Sequence, residues 1–241
     1  MTDSKRKGTK RNKEVMGELL RRHGQTYAAE AHIHLKDTPQ PLYRTLVLAH
    51  LLSARIRASV AVSTSRALHE AGPRNPKRMT EATWQERVDA LGRGGYRRYD
   101  ERTATQLGEG GQMLIDRWGG DLRRMRQQAD GDADELRGLL RELPGVGPLG
   151  TDIFLREVQD VWPEFGPFVD SKALQGSERL GLPQRTSDLV RLADEAPNAA
   201  LVRAALSKEV VADCDRVGGP VLPARPPHHR TCGPASGGSS S

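Results

Sequence analysis

The chain has 241 residues, of which 28% are charged, 36% hydrophobic and 4% aromatic, and its net charge is +6. That length supports one domain or two small lobes with real cores, while two cysteines, Cys214 and Cys232, exclude a disulfide framework and a four-cysteine metal or cluster site. No run approaches the roughly 20 apolar residues of a membrane span, and the charged N-terminus lacks the apolar core of a secretory signal, so a soluble cytoplasmic protein is expected.

The positive charge is unevenly placed. Lys5, Arg6, Lys7, Lys10, Arg11 and Lys13 face only Asp3 within residues 1–13, which leaves the body nearly neutral. Residues 1–13 are expected to be a disordered basic arm, either adding sequence-independent affinity for nucleic acid or only solubilising the chain. Residues 14–36 read as one or two helices on the spacing of Val15, Leu19 and Leu20. His32 and His34 flank Ile33, but a metal site would need more ligands nearby. Thr38-Pro39-Gln40-Pro41 breaks the pattern.

Leu42 to Ile56 is the most apolar stretch and predicts a central core helix, because it is apolar all round. It ends in Leu51-Leu52-Ser53-Ala54-Arg55. Arg57 to Glu70 continues as a helix, and Thr80 to Leu91 predicts another with Thr80 as its cap. A turn crowded with Gly, Arg and Tyr follows, from Gly92 to Tyr99. Asp100 to Trp118 predicts a long helix, and Asp121 to Arg141 two shorter ones.

Leu143-Pro144-Gly145-Val146-Gly147-Pro148-Leu149-Gly150-Thr151-Asp152 then lies between two helical patterns. Pro144 cannot continue the first helix, and Gly145 can take positive φ at no steric cost. Beyond Gly147 the second helix opens with N–H groups that have no intrahelical partner, where the helix dipole also favours an anion. Such a corner alone is often only a turn. After a further apolar helix comes Phe168-Val169-Asp170-Ser171, with Asp170 a good cap for the next helix, 171–182. Helices are expected over Thr186 to Ala193 and Pro197 to Asp213, the latter with Leu201, Val202, Leu206 and Val210 on one face. From 216 to 241 Pro, Gly, Ser and polar residues predict a disordered tail, in which His228, His229 and Cys232 are too few for a metal site. There is no convincing strand, so the fold class is all-α.

The hairpin and the Asp after it resemble the signature of helix-hairpin-helix DNA glycosylases of the endonuclease III superfamily, over about residues 40–180. The resemblance implies two helical lobes around a DNA-binding cleft. Residues 41–165 would form a barrel lobe holding the hairpin at 134–160, and residues 14–40 with 166–215 a discontinuous lobe. It implies double-stranded DNA with damaged or mispaired bases as partner, a monomer, and a nucleoid-associated place in the cytoplasm. Leu143, Pro144, Gly145, Val146, Gly147, Leu149 and Gly150 would grip a DNA phosphate. Asp170 would be the catalytic carboxylate, either in addition to its capping role or as a cap alone. Arg55 stands where the family has a Gln that fills the gap left by the extruded base. Tyr96 and Arg97 stand in the family's glycine–tyrosine turn, and Lys172 beside the catalytic position.

The chain departs from the family in three places. Leu149 occupies the position of the lyase lysine and cannot form a Schiff base. The iron–sulfur cluster of many members needs four closely spaced cysteines, so no cluster is expected. Ser171-Lys172 replaces the common Thr-His. Together these imply a monofunctional DNA glycosylase that hydrolyses the N-glycosidic bond of a damaged or mispaired base. The alternatives are a non-catalytic helix-hairpin-helix DNA-binding protein, an abasic-site lyase using Lys172 or a tail amine, and a hairpin that serves protein contacts only.

Overall fold

The computed structural model describes residues 2–193, 198–207, 209–212 and 214. Among the described residues the chain is all-α, with one short 3-10 turn at Pro163–Phe165. The helices are α1 (Thr2–His23), α2 (Tyr27–Glu30), α3 (Pro39–Ser53), α4 (Ala58–Ala71), α5 (Pro76–Glu81), α6 (Trp84–Arg93), α7 (Asp100–Trp118), α8 (Leu122–Ala129), α9 (Ala133–Arg141), α10 (Pro148–Val158), α11 (Ser171–Arg179), α12 (Thr186–Leu192) and α13 (Asn198–Leu206). The expected tail at 216–241, with His228, His229 and Cys232, lies outside the described residues.

Two expectations need correction. Residues 2–13 are the first half of α1 rather than a disordered arm. Val15, Met16 and Leu19 are buried and anchor the second half of the helix. Once that nucleus exists, extension costs little per residue, and Lys and Arg are good helix formers. The expected helix with Thr80 as cap is two helices. Asn75 caps α5, its Oδ1 accepting from Arg78 N at 2.9 Å, and Pro76 occupies the first turn, where its missing N–H is harmless. Thr83 then caps α6 in a box with Glu86, whose carboxylate accepts from Thr83 N at 2.7 Å.

The apolar side chains form two clusters. In the first, Leu42, Leu46 and Leu51 of α3 pack with Met79, Leu91, Leu107, Leu114, Leu140, Phe154 and Trp162. In the second, Val15 and Leu19 of α1 pack with Ile33, Val169, Ala173, Leu180, Leu189, Leu201 and Val210. Leu48 of α3 and Val62 of α4 also join the second cluster, so α3 is buried on opposite sides by different clusters. This is why its sequence is apolar without a polar face.

Within the second cluster α11 and α13 approach almost backbone to backbone. A Cβ on Gly176 would stand 1.7 Å from the carbonyl oxygen of Leu201. Gly176→Ala therefore forces the two helices apart, and a loss of ~3 kcal/mol in urea unfolding is expected. An unchanged midpoint would show that the two helices do not pack this closely.

Candidate nucleic-acid interface

The site starts from the corner between α9 and α10. Asp132 caps α9, its Oδ1 accepting from Asp134 N at 2.8 Å and Glu135 N at 3.1 Å; these bonds hold its carboxyl below the ordinary value. Leu143 and Val146 point inward and are buried, so they act as anchors of the turn and not as contact side chains. Gly145 adopts φ +81°. A Cβ there would lie 2.3 Å from His50 Cε1 and 2.7 Å from Gln106 Oε1, so α3 and α7 close around the turn. Pro144 is half-buried at the same place, lining with His50 and Gln106 a small apolar space behind the turn.

Gly147 is the N-cap of α10 in extended backbone with no side-chain cap bond. The N–H groups of Leu149 and Gly150 in the first turn of α10 have no partner within the helix, and of the two residues Leu149 is exposed and Gly150 buried. Leu149 is 53% exposed at this mouth. Gly150 faces the end of α3, its Cβ position 3.6 Å from Ser53 Cβ. Arg55, two residues past Ser53, is exposed beside that junction.

Other predicted contact residues separate. Arg97 is exposed in the turn before α7, beside Arg98, which lies over the Tyr99 ring at 5.3 Å. Tyr96 is buried, and its hydroxyl shares a hydrogen bond with Thr103 Oγ1 at 3.1 Å. Its side chain holds the α6–α7 corner and does not line an open pocket. Burial pushes its phenol up. Lys172 is half-exposed, with Nζ donating to Gln175 Oε1 at 2.9 Å.

Asp170 is the N-cap of α11, its Oδ1 accepting from Ala173 N at 2.7 Å. Its Oδ2 accepts from Arg156 Nη1 at 2.6 Å, and both side chains are 4% exposed. Arg156 also pairs with Glu157 at 3.5 Å, and its Nε is buried without a hydrogen-bond partner. Glu157 accepts from Ala28 N at 2.9 Å; burial pushes its carboxyl up, against the pull of Arg156.

The residue that sequence reasoning passed over is Asp152. It lies in the quoted run, yet no role was attached to it. It is 35% exposed, with Arg137 Nε at 3.8 Å. Burial pushes its carboxyl up from the ordinary value; Arg137 opposes this and the Asp170 charge adds to it. Arg156 was a visible signal, since Arg156-Glu157 follows directly on the apolar run Ile153-Phe154-Leu155. Arg102, exposed one turn before Gln106 on α7, and His50 were also missed. Among the described residues no group of three or more His, Cys, Asp and Glu is placed to hold a metal ion. No described helix is long and apolar enough to cross a membrane.

No family model matches the chain, and no curated protein matches it. A solved structure of a trapped endonuclease III–DNA covalent intermediate, an estranged-adenine complex, is similar at 19% identity. The similarity covers 78% of this chain and 82% of that one, with a TM-score of 0.45. A likeness at that level leaves the site to be argued from this chain's own residues.

His50 supplies a test of how the turn is held. Burial pushes its imidazole down to about 4, aided by Arg102 and opposed by the Gln106 hydrogen bond. The unfolded chain takes up this proton near the ordinary value of 6.5. Stability is therefore complete above about pH 6.5 and falls as pH drops toward 4, by roughly 3 kcal/mol from this group alone. Urea unfolding across that range should show the slope in the wild type and a flatter one in His50→Gln. Equal slopes would remove His50 as the cause.

Proposed function

We propose that the chain is a DNA-repair protein that binds duplex DNA through the α9–α10 hairpin. It hydrolyses the N-glycosidic bond of a damaged or mispaired base without forming a Schiff base. The observation that carries this reading is the hairpin itself. Leu143 and Val146 are sunk into the core, Gly145 is locked against His50 and Gln106, and the uncapped start of α10 is left open beside exposed Arg55. A phosphate is the ligand that such backbone N–H groups favour. Arg97 and Arg102 on the neighbouring elements offer further cations for the DNA backbone.

Base excision needs the nucleotide out of the stack and a carboxylate near the sugar as positive charge develops there. Asp152 on α10 and Asp170 at the start of α11 are the carboxylates of this reading. Leu149 at the lysine position supports hydrolysis over lyase chemistry. With two cysteines in the sequence, we propose that no iron–sulfur cluster is used. A monomer acting on chromosomal DNA in the cytoplasm completes the reading.

A second reading, a DNA-binding protein without turnover, has its own support. Both Asp170 oxygens are engaged and the side chain is buried, as in a purely structural cap. One experiment separates the readings. The protein is incubated with duplexes carrying oxidised, deaminated, alkylated and mispaired bases, and abasic sites are then cleaved with alkali. Release of at least one base is expected, with no covalent complex trapped by borohydride. Binding without release would establish the second reading, and trapping would point to Lys172 as an amine nucleophile.

A further inference from the structure

The two carboxylates of the site differ in what they can touch. Asp170 has one oxygen on Ala173 N and the other on Arg156, and it is 4% exposed. Bringing it to a ligand would break a buried ion pair and a helix cap together. Asp152 has neither constraint. Its contact with Arg137 is long, at 3.8 Å, and a third of its side chain is open.

The helix also gives Asp152 a direction. Leu149, Asp152 and Arg156 stand at positions i, i+3 and i+7 of α10 and share one face. Exposure falls along that face, from 53% at Leu149 through 35% at Asp152 to 4% at Arg156. Leu149 marks the mouth, next to the N–H groups at the start of α10. Asp152 is the first charged group along this face, and the Arg156–Asp170 pair is its buried end. Along this face Asp152 lies nearer the start of α10 than the Arg156–Asp170 pair does.

We propose that Asp152 is the catalytic carboxylate that faces the sugar of the extruded nucleotide, and that Asp170 is a positioning residue acting through Arg156. This assignment rests on the base-excision reading. In the reaction the bond from C1′ to the base nitrogen breaks, and its electron pair leaves with the base. The base nitrogen then takes a proton from solvent. A water molecule adds its oxygen to the cationic C1′ and gives a proton to the Asp152 carboxylate, which returns it to solvent. The products are the free base and an abasic site. The upward push on the Asp152 carboxyl suits a group that accepts a proton in this step.

Binding can test the assignment without turnover. Two duplexes are compared, one carrying a pyrrolidine nucleotide, whose ring nitrogen is cationic, and one carrying its neutral tetrahydrofuran counterpart. The wild type should bind the pyrrolidine duplex at least about tenfold tighter, since a carboxylate meets the added charge in a partly desolvated site. Asp152→Asn should bind both alike, and Asp152→Glu should recover part of the preference. Thermal melting of each variant shows that it is folded. A preference that survives in Asp152→Asn, or that Asp170→Asn alone abolishes, overturns the assignment, as does a wild type that binds both duplexes equally. Failure to bind any duplex would instead overturn the DNA-binding reading, and the assignment with it.

Discussion

The buried pair of Arg156 and Asp170 is the constraint on which the arrangement depends. Arg156 belongs to α10, whose apolar residues pack in the first cluster, and Asp170 begins α11, which packs in the second. Two charges taken out of water are costly, and their attraction compensates only when the remaining donors and acceptors are engaged. Most are engaged here. Asp170 accepts from Ala173 N, and Glu157 beside Arg156 accepts from Ala28 N at the start of α2. The Tyr27 ring of α2 receives Arg156 at 5.7 Å and Arg203 of α13 at 4.7 Å, and Arg203 in turn pairs with Glu30 at 2.8 Å. Removing one partner of such a pair leaves an uncompensated buried charge, typically a loss of about 3–5 kcal/mol. The web thus fixes the angle between the hairpin helix and α11, and it also draws Asp170 away from solvent.

The hairpin shows the same division between what holds and what is offered. Its side chains turn inward: Leu143 and Val146 into the first cluster, with His50 and Gln106 closing on Gly145 from behind. What is left outward is backbone, together with Pro148 and Leu149. A surface of backbone N–H groups cannot distinguish bases, but it fixes the register of a phosphate. Rigid support matters more for such a surface than side-chain chemistry. His50 of α3 and Gln106 of α7 give that support, since both stand directly behind Gly145.

Much of the fold was legible from patterns that local physics governs. The run Leu42–Ile56 announced a core helix because nothing in it tolerates water, and Asp100–Trp118 appears as α7 with the boundaries its periodicity suggested. The α1 extension was missed because composition argues from isolated segments, whereas a charged stretch joined to an anchored helix inherits its nucleus. Thr80 reads as a cap by its residue type, but Pro76 starts a helix earlier and Thr83 caps the next one. In the site, the backbone features of the hairpin were readable from Pro and Gly chemistry. Side-chain directions were not. Tyr96 reads as a pocket residue in a basic turn, yet its hydroxyl finds Thr103 seven residues on and the ring is buried. Asp170 reads as reactive or capping with equal ease, and only the position of Arg156, fourteen residues earlier, shows how it is held.

Arg156 therefore changes how the hairpin run is understood. A charged residue in the middle of an apolar helix needs a partner, and the partner it takes is the carboxylate that family likeness would make reactive. The same helix carries Asp152 one turn nearer the surface, where burial is partial and the nearest cation, Arg137, stands off at 3.8 Å. Burial and the nearby charge of Asp170 raise the proton affinity of Asp152, against the pull of Arg137. The arrangement divides labour along a single helical face. The inner carboxylate is held by Arg156 and by the cap of α11, and it sets the geometry. The outer one has a raised proton affinity and an open side, the combination that accepting a proton from water requires.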